Sequence, residues 1–250
     1  MRALIGVLLG VLAWCGPALA ETPADCRVAE NQIETSFSLP RVTKALAAKH
    51  LDILVMGAGS SMLPGERSAS HAYPARLQSA LAEKFPGVAV KVTADVKAGR
   101  TAAEMVRVLK PALMASKAAL LIWQTGTVDA VRSVELDQFN ASLEKGIAIA
   151  QTSGADAILM NMQYSPRTES MIALGLYNEN MRWVALQHEF PLFDRFRIMK
   201  LWSDLGTFDL YSATKKLDTA ERVHDCIGRL LADLIFETAK PGGKQPPEIR

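Results

Sequence analysis

The sequence predicts an α/β fold, a three-layer α/β/α sandwich around a mainly parallel five-stranded sheet. Short apolar runs alternate with longer segments whose apolar residues recur at three- and four-residue spacing. Apart from Lys91 in 88–92, the runs are apolar throughout rather than at every second residue, as expected of strands covered on both faces. Several runs also break into small residues, glycine and serine above all, where the backbone must turn sharply into the next element.

In chain order the expected strands are 53–56, 88–92, 120–123, 157–160 and 191–193. Helical patterns occupy 73–84, 102–114, 136–152 and 170–188 between them, and a last helix over 219–238 closes the chain. Asp218-Thr-Ala-Glu221 has the form of a capping box, with aspartate at the N-cap and glutamate three residues on. Alternation of this kind implies right-handed crossovers between parallel strands. Residues 27–50 read as an N-terminal helical arm broken near Leu39-Pro40.

Residues 1–20 have the form of a signal peptide: Arg2, an apolar run over 3–13, and Ala18-Leu-Ala20 as a cleavage site. Trp14 is too bulky for a lipoprotein cleavage site at Cys15, so the expectation is a soluble exported protein, periplasmic or secreted, without a stable membrane anchor. Residues 21–240 form one α/β domain with its arm. The segment 241–250, with three prolines and two glycines, reads as a disordered tail. Without Arg2 the 28 basic residues become 27 against 26 acidic ones. A balance so close to neutral, with no basic patch, argues against a nucleic-acid partner. Cys26 and Cys226 remain after cleavage, and an even count in an oxidising compartment points to a disulfide, with two buried thiols as the alternative. His50, His71, His188 and His224 lack metal-ligand spacing, so neither a metal nor another cofactor is expected.

The chemistry-bearing residues gather at the strand ends, where ligands collect in parallel sheets. After the first strand comes Gly59-Ser60-Ser61, after the second Asp95-Val-Lys-Ala-Gly99-Arg-Thr101, and after the third Gln124-Thr-Gly126-Thr-Val-Asp129. A serine at such a turn is a candidate nucleophile if a base and oxyanion donors meet it. It is also an ordinary turn residue.

These blocks resemble the SGNH, or GDSL-like, hydrolase superfamily, in a secreted branch whose first block reads Gly-Ser-Ser-Ser rather than Gly-Asp-Ser. Ala72-Tyr-Pro-Ala-Arg-Leu77 and Phe85-Pro-Gly87 are similar to that branch too. The resemblance implies an SGNH-hydrolase-like, flavodoxin-like fold, with Ser61 as nucleophile and the amides of Ser61 and Gly99 as oxyanion donors. Trp123-Gln-Thr-Gly-Thr-Val-Asp129 resembles the third block, Gly-x-Asn-Asp, but Val128 replaces its asparagine donor.

The family's Asp-x-x-His has two possible registers. In one, Glu221 and His224 supply carboxylate and base. In the other, set by Cys226, Asp218 falls at the histidine and Lys215 at the aspartate. Ser60 rivals Ser61 as nucleophile, and Gln124, Asp129, Gln163 and Asp218 are candidates to line the cleft.

The function expected from the resemblance is ester hydrolysis or acyl transfer on an envelope or small ester, the substrate being a small molecule, glycan or lipid. The alternative is a degenerate binding or accessory protein of the cell envelope on the same fold. Position 128 and the open histidine register are what a degenerate site would show.

Overall fold

The computed structural model describes residues 23–29, 32–33, 35–66, 68–212 and 217–239. The expected leader, the tail and Lys215 lie outside them. Five strands, β1 (His50–Gly57), β2 (Ala89–Val96), β3 (Leu120–Gln124), β4 (Asp156–Met160) and β5 (Leu192–Phe193), form one sheet in the order β2-β1-β3-β4-β5. Every pairing is parallel.

The inner strands β1, β3 and β4 are apolar on both faces because each face has its own core, whereas the edge strand β2 is only partly buried. Ile53, Val55, Leu120, Ile122, Ile158 and Met160 enter one core, while Leu54, Met56, Leu121, Trp123, Ala157 and Leu159 enter the other. This is the period-2 alternation of a pleated strand, with both sides buried.

Ten α-helices follow in chain order among the described residues: α1 (Pro40–Ala47), α2 (Ser68–His71), α3 (Tyr73–Lys84), α4 (Ala102–Ser116), α5 (Thr127–Val131), α6 (Leu136–Thr152), α7 (Pro166–Met171), α8 (Leu174–Gln187), α9 (Arg195–Asp204) and α10 (Leu217–Thr238). Residues of α1, α3, α9 and α10 pack on the first core, and those of α4, α6 and α8 on the second. The outcome is the expected three-layer α/β/α sandwich.

Three local expectations need correction. The arm contains no α-helix among its described residues before Pro40, which opens α1 because its fixed φ and missing N–H suit a first helical position. The pattern over 170–188 is divided into α7 and α8. Asp218 lies inside the first turn of α10, after Leu217, and not at its N-cap.

Cys26 and Cys226 form a disulfide that ties the short 3-10 turn Ala24–Cys26 to α10 across a sequence separation of 200. Helix α10 also lies very close to α3. A Cβ at Gly228 would stand 2.7 Å from Arg76 Cβ and 2.8 Å from the Leu77 amide nitrogen. Backbone cannot yield there as a side-chain tip can. Gly228→Val is therefore expected to destabilise the protein by about 2–3 kcal/mol, the cost of overpacking a tight contact. Gly175→Ala, where the added atom meets open space, should cause no such loss. Urea midpoints of the two variants check this, and equal midpoints would refute the close-contact argument.

Candidate active site

The site is built on the carboxyl end of the sheet. After β1 the chain enters a 3-10 turn, Gly59–Ser61, which carries Ser61 back over Gly57. A Cβ on Gly57 would sit 2.3 Å from Ser61 Oγ, so the turn requires glycine at that place. The turn buries Ser61, which is 1% exposed, and leaves Gly59 exposed.

The hydrogen bonds of Ser61 can be assigned by elimination. The Ala58 amide donates to Gln124 Oε1 at 3.1 Å, which identifies that atom as the carbonyl oxygen. Ser61 Oγ, 2.9 Å from the same oxygen, must then be a donor to it. The Tyr73 hydroxyl lies 3.0 Å from Ser61 Oγ and completes the set as a donor. The serine proton thus rests on an amide oxygen, which is not a base at neutral pH. Burial raises the Tyr73 phenol above its usual range, so it remains a neutral donor.

His224 sits on α10 and is 5% exposed. Its Nδ1 accepts the Tyr73 backbone N–H at 2.9 Å. A neutral imidazole has one accepting nitrogen, and here the peptide amide occupies it. A serine-activating histidine needs the opposite tautomer, with Nδ1–H given to a carboxylate and Nε2 open toward the serine. Burial first, and the Arg195 charge second, pull His224 down to about 3, so it remains neutral in ordinary buffers. Glu221, expected to orient it, stands one turn earlier on α10. Its Oε2 lies 3.2 Å from His71 Nδ1.

The remaining expected residues divide between cleft and scaffold. Asp218 is exposed on the first turn of α10. Asp129 is buried, and both carboxylate oxygens face the Ala102 amide, at 3.0 and 3.1 Å. It holds the first turn of α4, where a carboxylate suits the unpaired amides. Burial raises its pKa, opposed chiefly by the bond from Ala102. Val128 packs against the second core.

Gly99 adopts φ +75°, the left-handed conformation that favours glycine, and its carbonyl accepts Arg132 Nη2 at 2.8 Å. A side chain at Gly59 would emerge 3.6 Å from Ala98 Cβ, beside this turn.

Sequence reasoning missed two participants. Tyr73, at the start of α3, contacts Ser61 through its hydroxyl and His224 through its amide. Arg195, the first residue of α9, is 1% exposed and donates Nη1 to the Ser60 carbonyl at 2.9 Å. Its Nη2 reaches Gln163 Oε1 at 3.4 Å. Tyr73 lay within a quoted segment, but nothing in the periodicity marked Arg195 as buried. No group of three or more His, Cys, Asp or Glu among the described residues is placed to hold a metal.

A parallel sheet in this strand order, flanked by helices on both faces, is the doubly wound, flavodoxin-like α/β/α arrangement that the SGNH hydrolases share. TesA matches at TM-score 0.56 and 22% identity, over 73% of this chain and 99% of that chain. The acetylxylan esterase Axe2 from Geobacillus stearothermophilus matches at TM-score 0.59 and 16% identity, over 73% and 93% respectively. At these identities the likeness shows the fold. The family is shown by sequence: the chain belongs to the non-GDSL lipase-like family, whose pattern it matches over residues 25–241. No curated protein is similar enough in sequence to match.

Proposed function

We propose that this chain is a non-hydrolytic member of its family, an exported binding or accessory protein of the cell envelope built on the hydrolase scaffold. One observation carries the reading: Ser61 Oγ is buried and gives its proton to Gln124 Oε1. The accepting nitrogen of His224 is engaged elsewhere, so no base receives that proton among the partners of Ser61. A positioned general base contributes roughly 10² to 10⁴ in rate. The oxyanion donor replaced by Val128 is worth about 10² to 10³ more where such donors have been removed. Export is supported by the leader pattern at residues 1–20 and by the Cys26–Cys226 disulfide.

Family membership and the likeness to an esterase favour a second reading, ester hydrolysis with Ser61 as nucleophile and His224 as base. That chemistry needs the Ser61 hydroxyl to leave Gln124 and the imidazole to release the Tyr73 amide. A fluorophosphonate probe separates the two. The expected result is no Ser61-dependent labelling, and p-nitrophenyl acetate hydrolysis equal in wild type and Ser61→Ala. Stoichiometric labelling of wild type but not of Ser61→Ala would overturn the non-hydrolytic reading.

A further inference from the structure

Arg195 is a buried cation with no carboxylate counter-ion among the described residues. The titratable groups that feel its charge are the Tyr73 phenol and the His224 imidazole, both neutral at pH 7. The adjacent Asp194 is turned away. Its oxygens accept from Asn161 Nδ2 at 2.7 Å, from Arg182 Nε and Nη2 at 2.9 and 2.7 Å, and from the Arg197 amide at 3.0 Å. A buried charge is ordinarily paired, because leaving water without compensation is costly. Burial also weakens the proton's hold on Arg195, pulling it down to about 10, so it is still a cation at neutral pH.

The unused capacity of the guanidinium has a definite shape. Nη1 is committed to the Ser60 carbonyl, and one face lies against the Tyr73 ring, 5.7 Å from its centroid. Nε has no partner, and Nη2 has only the 3.4 Å contact with Gln163 Oε1. Nε and Nη2 share one edge of the planar group, the fork that matches two coplanar oxygens. Ser60 Oγ and Gln124 Nε2, in the same hydrogen-bonded cluster, are also buried without partners. The cluster has an excess of donors, which calls for an acceptor-rich ligand. Gln163 is partly exposed on the loop after β4, so its amide can swing aside.

We propose that Arg195 anchors a carboxylate-binding site at the carboxyl ends of β1, β4 and β5, where a small organic acid sets both oxygens on the Nε–Nη2 edge and displaces the Gln163 amide. The inference rests on the non-hydrolytic reading, since it gives the strand ends a retained acid rather than a cleaved ester. Gln163 Oε1 holds the place of one ligand oxygen, and its long contact to Nη2 makes it easy to replace.

The test is thermal unfolding of the full mature protein at pH 7.5 with sodium acetate or propionate, against sodium chloride and sodium phosphate at matched ionic strength. A ligand bound only by the folded state raises Tm in a saturable way. Acetate or propionate should do so in wild type and in Gln163→Ala, with an apparent Kd at least threefold lower in Gln163→Ala. Arg195→Lys, which keeps the charge and loses the fork, should weaken binding at least tenfold. Because Arg195 is buried, Gln163→Glu carries the argument independently of whether that variant folds. It supplies an internal carboxylate, and should raise Tm without ligand and abolish the acetate response. The proposal is overturned if carboxylates act no differently from chloride. It is equally overturned if phosphate saturates and the carboxylates do not, or if Gln163→Glu leaves the acetate response intact. Ser61-dependent fluorophosphonate labelling, read in a separate assay, would refute the non-hydrolytic reading while the carboxylate response stood or fell by itself.

Discussion

Acidification is expected to destabilise this protein steeply through one residue. His224 titrates near 3 in the fold and at about 6.5 in an unfolded chain, so below 6.5 the unfolded state binds a proton that the native state refuses. Its contribution is fully present above pH 6.5 and is lost as pH falls toward 3, at on the order of 1.4 kcal/mol per pH unit. The cause is local: a ring enclosed by α3 and α10, its Nδ1 held by the Tyr73 amide, with the Arg195 cation nearby. Asp129 acts in the opposite sense. Its folded pKa is raised, so the stability it adds is present at low pH and is lost as pH rises through that value. The measurement is urea unfolding at several pH values between 7 and 3.5 in wild type and His224→Asn, whose side-chain oxygen can still accept the Tyr73 amide. The variant should be less stable at pH 7 and lose much less on acidification. Parallel curves would show that His224 is not the acid-sensitive group.

Reduction of Cys26–Cys226 is expected to have an effect of similar size. In the chain-entropy model, closing a loop of this length stabilises by about 5 kcal/mol. The bridge joins the described N-terminal turn to α10, whose other face packs on α3 and on the first core. Both sulfur-bearing residues are buried, so reduction must follow partial opening. Urea unfolding with and without reductant, and of the Cys26→Ser/Cys226→Ser double variant, should show the unfolding free energy falling by up to about 5 kcal/mol, a third or more of a typical domain's stability. A loss below about 1 kcal/mol would mean that the bridge adds little beyond the packing around it.

The strands were legible because burial on both faces leaves a continuous apolar run, and runs such as 53–56 and 120–123 have no competing reading as amphipathic helix. The helices α3 and α6 were legible to the residue for the reverse reason: one face is wet, so the period survives in the sequence. Helix α9 was not. Its sequence, Arg-Phe-Arg-Ile-Met-Lys-Leu-Trp-Ser-Asp, begins with an arginine that is buried, so the usual sign of a solvent face is inverted at its first turn. The break between α7 and α8 escaped notice because apolar residues continue through Ile172-Ala173.

The candidate site was legible in part. Its strand-end loops and the disulfide partners could be named from spacing and from cysteine number. The hydrogen-bond partners could not, because they are set between elements far apart in the chain. Gln124 is 63 residues from Ser61, and Tyr73 is 151 residues from His224.

From the sequence alone came the α/β/α class, the order of strands along the chain, the polar loops at one end of the sheet and the pairing of two cysteines. All of these depend on local pattern and composition. Only the tertiary structure decided what the polar residues do: it set the Ser61 hydroxyl against Gln124, gave the accepting nitrogen of His224 to a peptide amide, and enclosed Arg195 with no carboxylate partner among the described residues. Hydrogen-bond direction and the dielectric around a charge are properties of packed neighbours, and a linear order of residues does not specify them.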